Sequence, residues 1–251
     1  MYKANDYTDE FYDRQDTLRF QSASEVLNLL FSYYKPKSMV DLGCGLGHWL
    51  KTASDLGVNT IFGYDGHLLD TEKLKIPSEC FLRHDFETTL NSSNRYDLAI
   101  SIEVGEHLPK SCSEQFIQSL CSLSDVVLFS AAVPNQGGVN HYNEAPPIFW
   151  ANIFKENGYL CYDILRQKLW NNEKVNCIHA QNIFVYIKEG CGAEQIFKDF
   201  TPTQEPLLLY HPSLYEQRMN QLNDIKRKYN ERKSMSQFIK NKILFKLGKQ
   251  S

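Results

Sequence analysis

The sequence has no uninterrupted apolar stretch as long as the roughly 18 to 20 residues that a membrane-spanning helix requires. It also has no apolar segment near the N-terminus of the kind that a secretory signal needs. Its seven cysteines are an odd number and include no C-x-x-C pair, so neither a disulfide framework nor a zinc ribbon is expected. Together these absences favour a reducing, cytoplasmic location.

Charge is divided unevenly along the 251 residues. The segment from His211 to Ser251 contains ten Lys and Arg residues and three Asp and Glu residues, whereas the first 210 residues contain 17 basic and 27 acidic ones. An acidic body repels the phosphates of nucleic acids. We therefore expect no nucleic-acid partner, and a separate role for the basic C-terminal segment.

Short apolar segments that predict strands alternate with amphipathic segments that predict helices. Strands are predicted at 38–42, 60–64, 81–83, 98–104, 126–133, 162–169 and 183–188. Helices are predicted at 16–34, 48–56, 111–123 and 148–156. This alternation is typical of an α/β protein with a doubly wound, mostly parallel, seven-stranded sheet. No clear helix separates the last two predicted strands, so we expect an antiparallel strand at one edge.

Three regions are predicted: an N-terminal helical cap at 1–36, a central α/β domain at 37–190 and a C-terminal extension at 191–251. Residues 213–246 contain no Gly or Pro and predict one long basic helix, on which Leu222, Ile225 and Tyr229 form an apolar stripe. In one interpretation this helix packs on its own body or on the second subunit of a homodimer. In the other it binds an anionic membrane surface or a protein partner.

The strongest local motif is a D-x-G-x-G-x-G segment at a predicted strand-to-helix turn, formed by Asp41, Gly43, Gly45 and Gly47. Glycines allow positive φ angles and a close approach of the backbone to a ligand. In open α/β sheets, ligands bind at the carboxyl ends of the strands, where this turn lies. The spacing differs from the dinucleotide fingerprint G-x-G-x-x-G, because His48 stands where the third glycine would be. The motif therefore predicts a ligand site without a pyrophosphate cradle.

Acidic residues follow the next two predicted strands. Asp65, followed by Gly66, ends the second strand, and an ionised carboxylate there can accept hydrogen bonds from both hydroxyls of a ribose. The alternative interpretation of Asp65 is a turn residue before a glycine. Asp85 and Phe86 follow the third strand, where they suit an exocyclic adenine amine and the adenine ring. The pattern predicts a nucleoside-shaped site.

The segments DLGCGLG, YDG, HDF and YDLAISIEVGEHLP resemble class I S-adenosylmethionine-dependent methyltransferases over about residues 11–190. The resemblance implies a Rossmann-like fold, S-adenosylmethionine as cofactor and S-adenosylhomocysteine as product. It assigns residues 37–190 to the cofactor-binding methyltransferase domain. In this resemblance the methionyl part of the cofactor contacts Asp41, Gly43 and Gly45, and the ribose contacts Asp65 and Gly66. Adenine contacts Asp85 and Phe86. Glu103 and Val104, at the end of the fourth strand, also lie near the cofactor.

A narrower resemblance, in FYDRQ at 11–15 and FSAAVPNQGGVNHYNE at 129–144, is to a bacterial branch associated with surface-polysaccharide modification. It implies O-methylation of a hydroxyl or phosphate-like group on a sugar or a capsule or lipopolysaccharide precursor. It also adds Tyr12 and Gln15 to the expected cofactor-binding residues. The alternatives are a small-molecule O- or N-methyltransferase outside glycan synthesis, and a non-catalytic cofactor-binding subunit of a glycan-synthesis complex.

Two histidines follow the fourth and fifth predicted strands and are the candidates for a general base. A histidine base near neutral pKa contributes about 10²–10⁴-fold to the loss of a proton from an oxygen acceptor. His141 lies in a Gly- and Asn-rich loop, and the alternative is a structural or substrate-orienting role. His107 can instead cap the helix that follows it. Glu103, Glu106 and Glu144 show no spacing typical of metal ligands, so we expect no metal centre.

Overall fold

The computed structural model describes residues 9–66 and 71–247, and for 9–15, 71, 237–238 and 240–247 it describes the backbone alone. Seven strands form one sheet in the order β3-β2-β1-β4-β5-β7-β6. The strands are β1 (Ser38–Leu42), β2 (Thr60–Asp65), β3 (Phe81–Arg83), β4 (Leu98–Ile102), β5 (Val126–Ser130), β6 (Tyr159–Tyr162) and β7 (Phe184–Lys188).

The helices are α1 (Asp9–Phe31), α2 (His48–Asp55), α3 (Ser113–Leu123), α4 (Pro147–Glu156), α5 (Arg166–Leu169), α6 (Cys177–Asn182) and α7 (Pro212–Leu247). Short 3-10 turns lie between them at Thr71–Lys73, Ser78–Cys80, Gly105–His107, Lys110–Cys112 and Gly192–Gln195. The chain divides into two compact units, 1–209 and 210–251. Among the residues that the structure describes, no helix has both the length and the apolar character needed to cross a bilayer.

The sheet confirms the predicted fold class. Strands β3, β2, β1, β4 and β5 run parallel to one another, and β7 pairs antiparallel with both β5 and β6. The antiparallel strand therefore lies one place in from the edge. The carboxyl ends of β1, β2, β3, β4 and β5 meet along one side of the sheet, where the predicted site residues follow the strands.

Alternate residues of each strand bury their side chains on opposite faces of the sheet. Met39 belongs to a core shared with α1 and α2, whereas Val40 belongs to a core shared with α3 and α4. This period of two is what a parallel sheet covered by helices on both faces requires. The two cores hold the strand ends, and with them the site, in a fixed register.

The predicted strand at 162–169 is wrong in its position. The strand is Tyr159–Tyr162, and Arg166–Leu169 is helical. Arg166 is 1% exposed and binds the Asp163 carboxylate, while its Nη1 donates to the carbonyl oxygens of Gln181 (3.1 Å) and Leu207 (3.0 Å). Because these partners surround the guanidinium, the chain turns inward here instead of extending. Helices α5 and α6, which are too short to give a clear helical pattern, separate β6 from β7.

Three other predicted elements extend too far at their C-terminal ends. The strand predicted at 98–104 ends at Ile102 because Glu103 takes a left-handed φ of 55°. The strand predicted at 126–133 ends at Ser130, and the helix predicted at 16–34 ends at Phe31.

We expect Arg166→Ala to lower the free energy of unfolding by about 3–5 kcal/mol, because it leaves buried polar partners without their cation. Arg95→Ala is the matched control, since Arg95 pairs with Asp125 at the surface with half of its side chain exposed. Its expected cost is about 0–1 kcal/mol. Urea denaturation measures both, and equal losses would contradict a stabilising role specific to the buried arginine.

Candidate cofactor and acceptor site

The turn after β1 depends on glycine at three positions. Gly43, Gly45 and Gly47 have φ angles of 87°, 52° and 86°, in the left-handed region that side chains resist. A methyl group on Gly43 would also overlap the side chain of Val104. The amides of Gly43 and Cys44 donate to the carbonyl oxygen of Tyr64 at 2.8 and 3.0 Å, which fixes the turn against β2.

Asp65, at the end of β2, binds this turn directly. Its Oδ2 accepts a hydrogen bond from the Gly45 amide at 2.8 Å, and the residue is 6% exposed. A carboxylate has about four acceptor positions, so this bond is compatible with further bonds from a ribose diol. Asp41 is buried within β1, and burial raises its pKa well above the usual value, with the negative charge of Asp65 adding to the rise.

A cavity of about 350 Å³ opens at the carboxyl ends of the strands, a volume in the range of small-molecule sites. Its lining residues are Gly43, Asp65, Gly66, Asp85, Phe86, Glu87, Glu103, Val104, His107 and Leu108. The structure therefore brings seven of the predicted cofactor-binding residues around one space, together with His107. Gly45 joins them through its bond to Asp65. For Tyr12 and Gln15, which lie in α1, the side chains are outside the described part of the structure.

Phe86 forms a closely packed part of the cavity wall. It is buried, and its ring makes edge-to-face contacts with Phe116 at 5.3 Å and with His84 at 5.5 Å between centroids. Asp85 is exposed beside it, and its Oδ1 accepts a bond from the Glu87 amide at 2.9 Å. A fixed apolar ring next to an exposed carboxylate suits an adenine, which has an apolar face and an amino group.

Glu103 anchors a buried hydrogen-bond network behind the cavity. Its carboxylate accepts bonds from Gln136 Nε2 at 2.8 Å and Asn182 Nδ2 at 3.0 Å. Burial raises the pKa of Glu103, and these two bonds oppose the rise. Sequence reasoning missed both amides, because Asn182 ends a short helix and Gln136 lies in a loop 46 residues away. The Gln-Gly-Gly segment was the one signal that marked Gln136.

Glu106 is more deeply buried, with 1% of its surface exposed. Burial raises its pKa to about 10, and the negative charge of Glu103 is the next cause. Its backbone carbonyl accepts the amides of Tyr142 and Asn143 at 2.8 and 3.0 Å. The turn after β4 is thereby tied to the loop after β5.

The two candidate histidines meet at the edge of the cavity. The rings of His107 and His141 are 4.9 Å apart between centroids and perpendicular to each other. His107 Nδ1 lies 3.2 Å from the carbonyl oxygen of Asn140, and His141 Nδ1 lies 2.9 Å from Glu144 Oε1. A methyl group on Gly138 would overlap the His141 ring, so glycine at this position makes room for it.

A cluster around Asp16 that the sequence did not reveal joins α1 to residues next to the glycine turn. Asp16 of α1 binds His48 Nε2 at 2.9 Å and Lys75 Nζ at 2.8 Å. The amide of Lys75 donates to the carbonyl of Leu46 at 2.8 Å. This cluster fixes α1 and the segment before β3 onto the start of α2.

A sequence profile described as "Methyltransferase domain" matches residues 13–162, more than half of the chain. The chain belongs to this methyltransferase-domain family. It is an S-adenosylmethionine-dependent methyltransferase, with S-adenosylmethionine as its cofactor. A sequence comparison with curated proteins finds no match.

Solved structures of other proteins, two of them methyltransferases by name, share the fold. DesVI of Streptomyces venezuelae superposes with a TM-score of 0.56 at 13% identity, covering 75% of this chain and 99% of that one. The methyltransferase domain of bacterial CtHen1 gives 0.50 at 21% identity, covering 68% and 98%. Magnesium protoporphyrin IX methyltransferase of Synechocystis PCC 6803, solved with S-adenosylhomocysteine, gives 0.50 at 17% identity, covering 71% and 88%.

We expect Asp65→Ala to weaken S-adenosylmethionine binding by about 10- to 100-fold, the effect of losing about 1.5–3 kcal/mol of hydrogen bonding to a charged group. Asp55→Ala is the control, because Asp55 is exposed on α2 and pairs there with Lys51. Calorimetric titration with the cofactor measures both. Equal affinities of wild type and Asp65→Ala would contradict a ribose-binding role for Asp65.

Proposed function

We propose that this methyltransferase acts on oxygen, and that its acceptor is a hydroxyl or phosphate-like group of a sugar or of a capsule or lipopolysaccharide precursor. The observation that carries the proposal is the His107–His141 pair at the edge of the cofactor cavity. In each ring, Nδ1 faces a protein oxygen that can only accept a hydrogen bond. Nδ1 therefore carries the proton and Nε2 carries the lone pair. An imidazole in this state can accept a proton from a hydroxyl.

S-adenosylmethionine supplies an electrophilic methyl group on a positively charged sulfur. Bound in this cavity, S-adenosylmethionine would give up its methyl group, with the carbon–sulfur bond breaking as the carbon–oxygen bond forms, and the proton of a hydroxyl acceptor would pass to Nε2 of His141 or His107. Alignment of the reacting atoms supplies much of the rate. Glu144, bonded to Nδ1 of His141, stabilises the imidazolium that forms. The products are the methylated acceptor and S-adenosylhomocysteine.

The sugar class of the acceptor is supported by the loop that carries His141. Its polar segment resembles the polysaccharide-modifying branch, and Tyr142 is exposed next to the histidine pair. An exposed aromatic ring beside a polar loop suits the apolar face of a pyranose. A small-molecule acceptor outside glycan synthesis is the alternative. Transfer to an amino group is less well supported, because residues 103–106 read Glu-Val-Gly-Glu in place of an Asn/Asp-Pro-Pro-Tyr-type segment.

We expect His141→Ala to lower kcat by about 10²–10⁴-fold, with unchanged cofactor affinity, because the variant loses the proton acceptor but keeps the cavity lining. Transfer of labelled methyl groups to a panel of nucleotide sugars and capsule intermediates measures kcat, and calorimetry measures cofactor binding. His211→Ala, in the C-terminal unit, is the control. Wild-type turnover in both His141→Ala and His107→Ala would contradict a base role for either. Cofactor binding without transfer to any acceptor would favour the non-catalytic subunit.

The location of the protein is a separate proposal: cytoplasmic, with α7 as the element that contacts a membrane or another chain. The stripe of Leu222, Ile225 and Tyr229 on this basic helix is 42%, 65% and 65% exposed. Basic helices with exposed apolar side chains bind anionic lipid surfaces. Packing on a second subunit is the alternative.

We expect the full chain to float with vesicles that contain anionic phosphatidylglycerol and a variant ending at Pro212 to remain in the dense fraction. High salt should weaken the binding, because the attraction between the basic helix and the lipid is screened. Neutral phosphatidylcholine vesicles are the control. Equal flotation of the two chains would contradict membrane binding through α7, and a concentration-dependent dimer of the full chain would favour the subunit contact.

A further inference from the structure

Three side chains with metal-binding atoms converge beside the cofactor cavity. Glu106, His107 and His141 each offer one ligand atom, and these atoms all lie within 4.8 Å of one another. We name these three residues the Glu-His-His cluster. It draws on the turn after β4 and the loop after β5, which are 34 residues apart in the chain and are held together by the Glu106 carbonyl.

One atom of the cluster lacks a partner among the described residues. Glu106 Oε2 is buried and has no hydrogen-bond partner in that part of the chain. The backbone N–H groups of Glu106 and Ala132 contribute hydrogen bonds to this carboxyl group, but an oxygen atom buried without a donor of its own still costs about 1–3 kcal/mol. Glu103, beside it, already has both oxygens bonded to the amides of Gln136 and Asn182. A cation would supply the partner that Glu106 lacks.

Both imidazoles are oriented as metal-binding histidines are. A histidine that binds a metal through one nitrogen donates its other N–H to a carboxylate or a backbone carbonyl. His141 Nδ1 faces the Glu144 carboxylate and His107 Nδ1 faces the Asn140 carbonyl, so in each ring Nε2 carries the lone pair. Glu144 also accepts the amide of Gly137 at 2.5 Å, which holds this carboxylate in place.

We propose that the Glu-His-His cluster binds one divalent transition-metal cation, such as Mn²⁺, Co²⁺ or Zn²⁺. Two imidazoles and one carboxylate form the ligand set of several transition-metal sites, in which further positions remain for water or substrate. The sequence alone led us to expect no metal. Spacing does not mark these residues, because Glu106 and His107 are adjacent in the chain and His141 is remote.

The consequence for catalysis rests on the proposed transfer to oxygen and replaces the histidine base within it. A cation at the edge of the cavity binds the acceptor oxygen and lowers the pKa of its hydroxyl, so that the proton is lost to solvent. Both Nε2 lone pairs are then engaged with the metal, and the cation replaces the imidazole as the group that activates the acceptor. The carbon–oxygen bond still forms as the carbon–sulfur bond breaks.

The test is binding of Co²⁺ to the untagged full chain after removal of metals with EDTA and dialysis. Co²⁺ held by nitrogen and oxygen ligands absorbs visible light, so the spectrum reports the ligand set without any acceptor or turnover. We expect one Co²⁺ per chain. We expect Glu106→Gln and His141→Ala to abolish the visible band. We expect Glu144→Gln to weaken binding by about 10- to 100-fold, because an amide oxygen is a weaker partner for His141 Nδ1 than a carboxylate.

Glu114→Gln is the matched control, because Glu114 is an exposed acid in the first turn of α3. It should bind Co²⁺ as the wild type does. Thermal melts establish that each variant is folded, and Glu144→Gln keeps the test decisive if a substitution at buried Glu106 prevents folding. Absence of the band in folded wild type, or the same band in all variants, would overturn the site. Titration of the same samples with S-adenosylmethionine separates the two proposals. Cofactor binding without Co²⁺ binding would overturn the metal site and leave the proposed methyl transfer with a histidine base intact.

Discussion

The chain can leave β1 and enter α2 in so few residues because three glycines between them adopt left-handed φ angles. That turn is held by two amide bonds to the Tyr64 carbonyl and by the bond from Gly45 to Asp65, so β1 and β2 are fixed relative to each other at their carboxyl ends. The cavity at the strand ends depends on this constraint. Val104 fills the space that a side chain on Gly43 would need. If the turn were displaced, Val104 would lose its contact with Gly43.

The side of the cavity that carries His107 is built differently, from loops that hold one another. The 3-10 turn at Gly105–His107 receives the amides of Tyr142 and Asn143, and Asn143 Nδ2 in turn binds Ser113 Oγ at the start of α3 at 2.9 Å. The cavity is therefore bounded by strand ends on one side and by a mutually bonded pair of loops on the other. This division suits an enzyme whose cofactor is constant and whose acceptor differs between relatives.

Sequence reasoning worked where the chemistry is local. The glycine turn, Asp65 and Phe86 were predictable, because each follows directly from a strand end and the next few residues. The strand at 159–162 was misplaced, since the buried Arg166 and its distant partners decide that segment. The bonds from Gln136 and Asn182 to Glu103, and the meeting of His107 with His141, depend on how two loops fold together. No spacing in the chain encodes such contacts.

Glu103 is a non-glycine residue at a positive φ of 55°, a conformation that costs on the order of 1–3 kcal/mol. It is kept there by its amide bonds to Ser130 and by the two buried amides on its carboxylate. Glycine at this position would relax the backbone and remove the group on which that network converges. The relief of backbone strain is therefore opposed by the amides of Gln136 and Asn182, which would be left without the carboxylate they bind, at a cost of about 1–3 kcal/mol each.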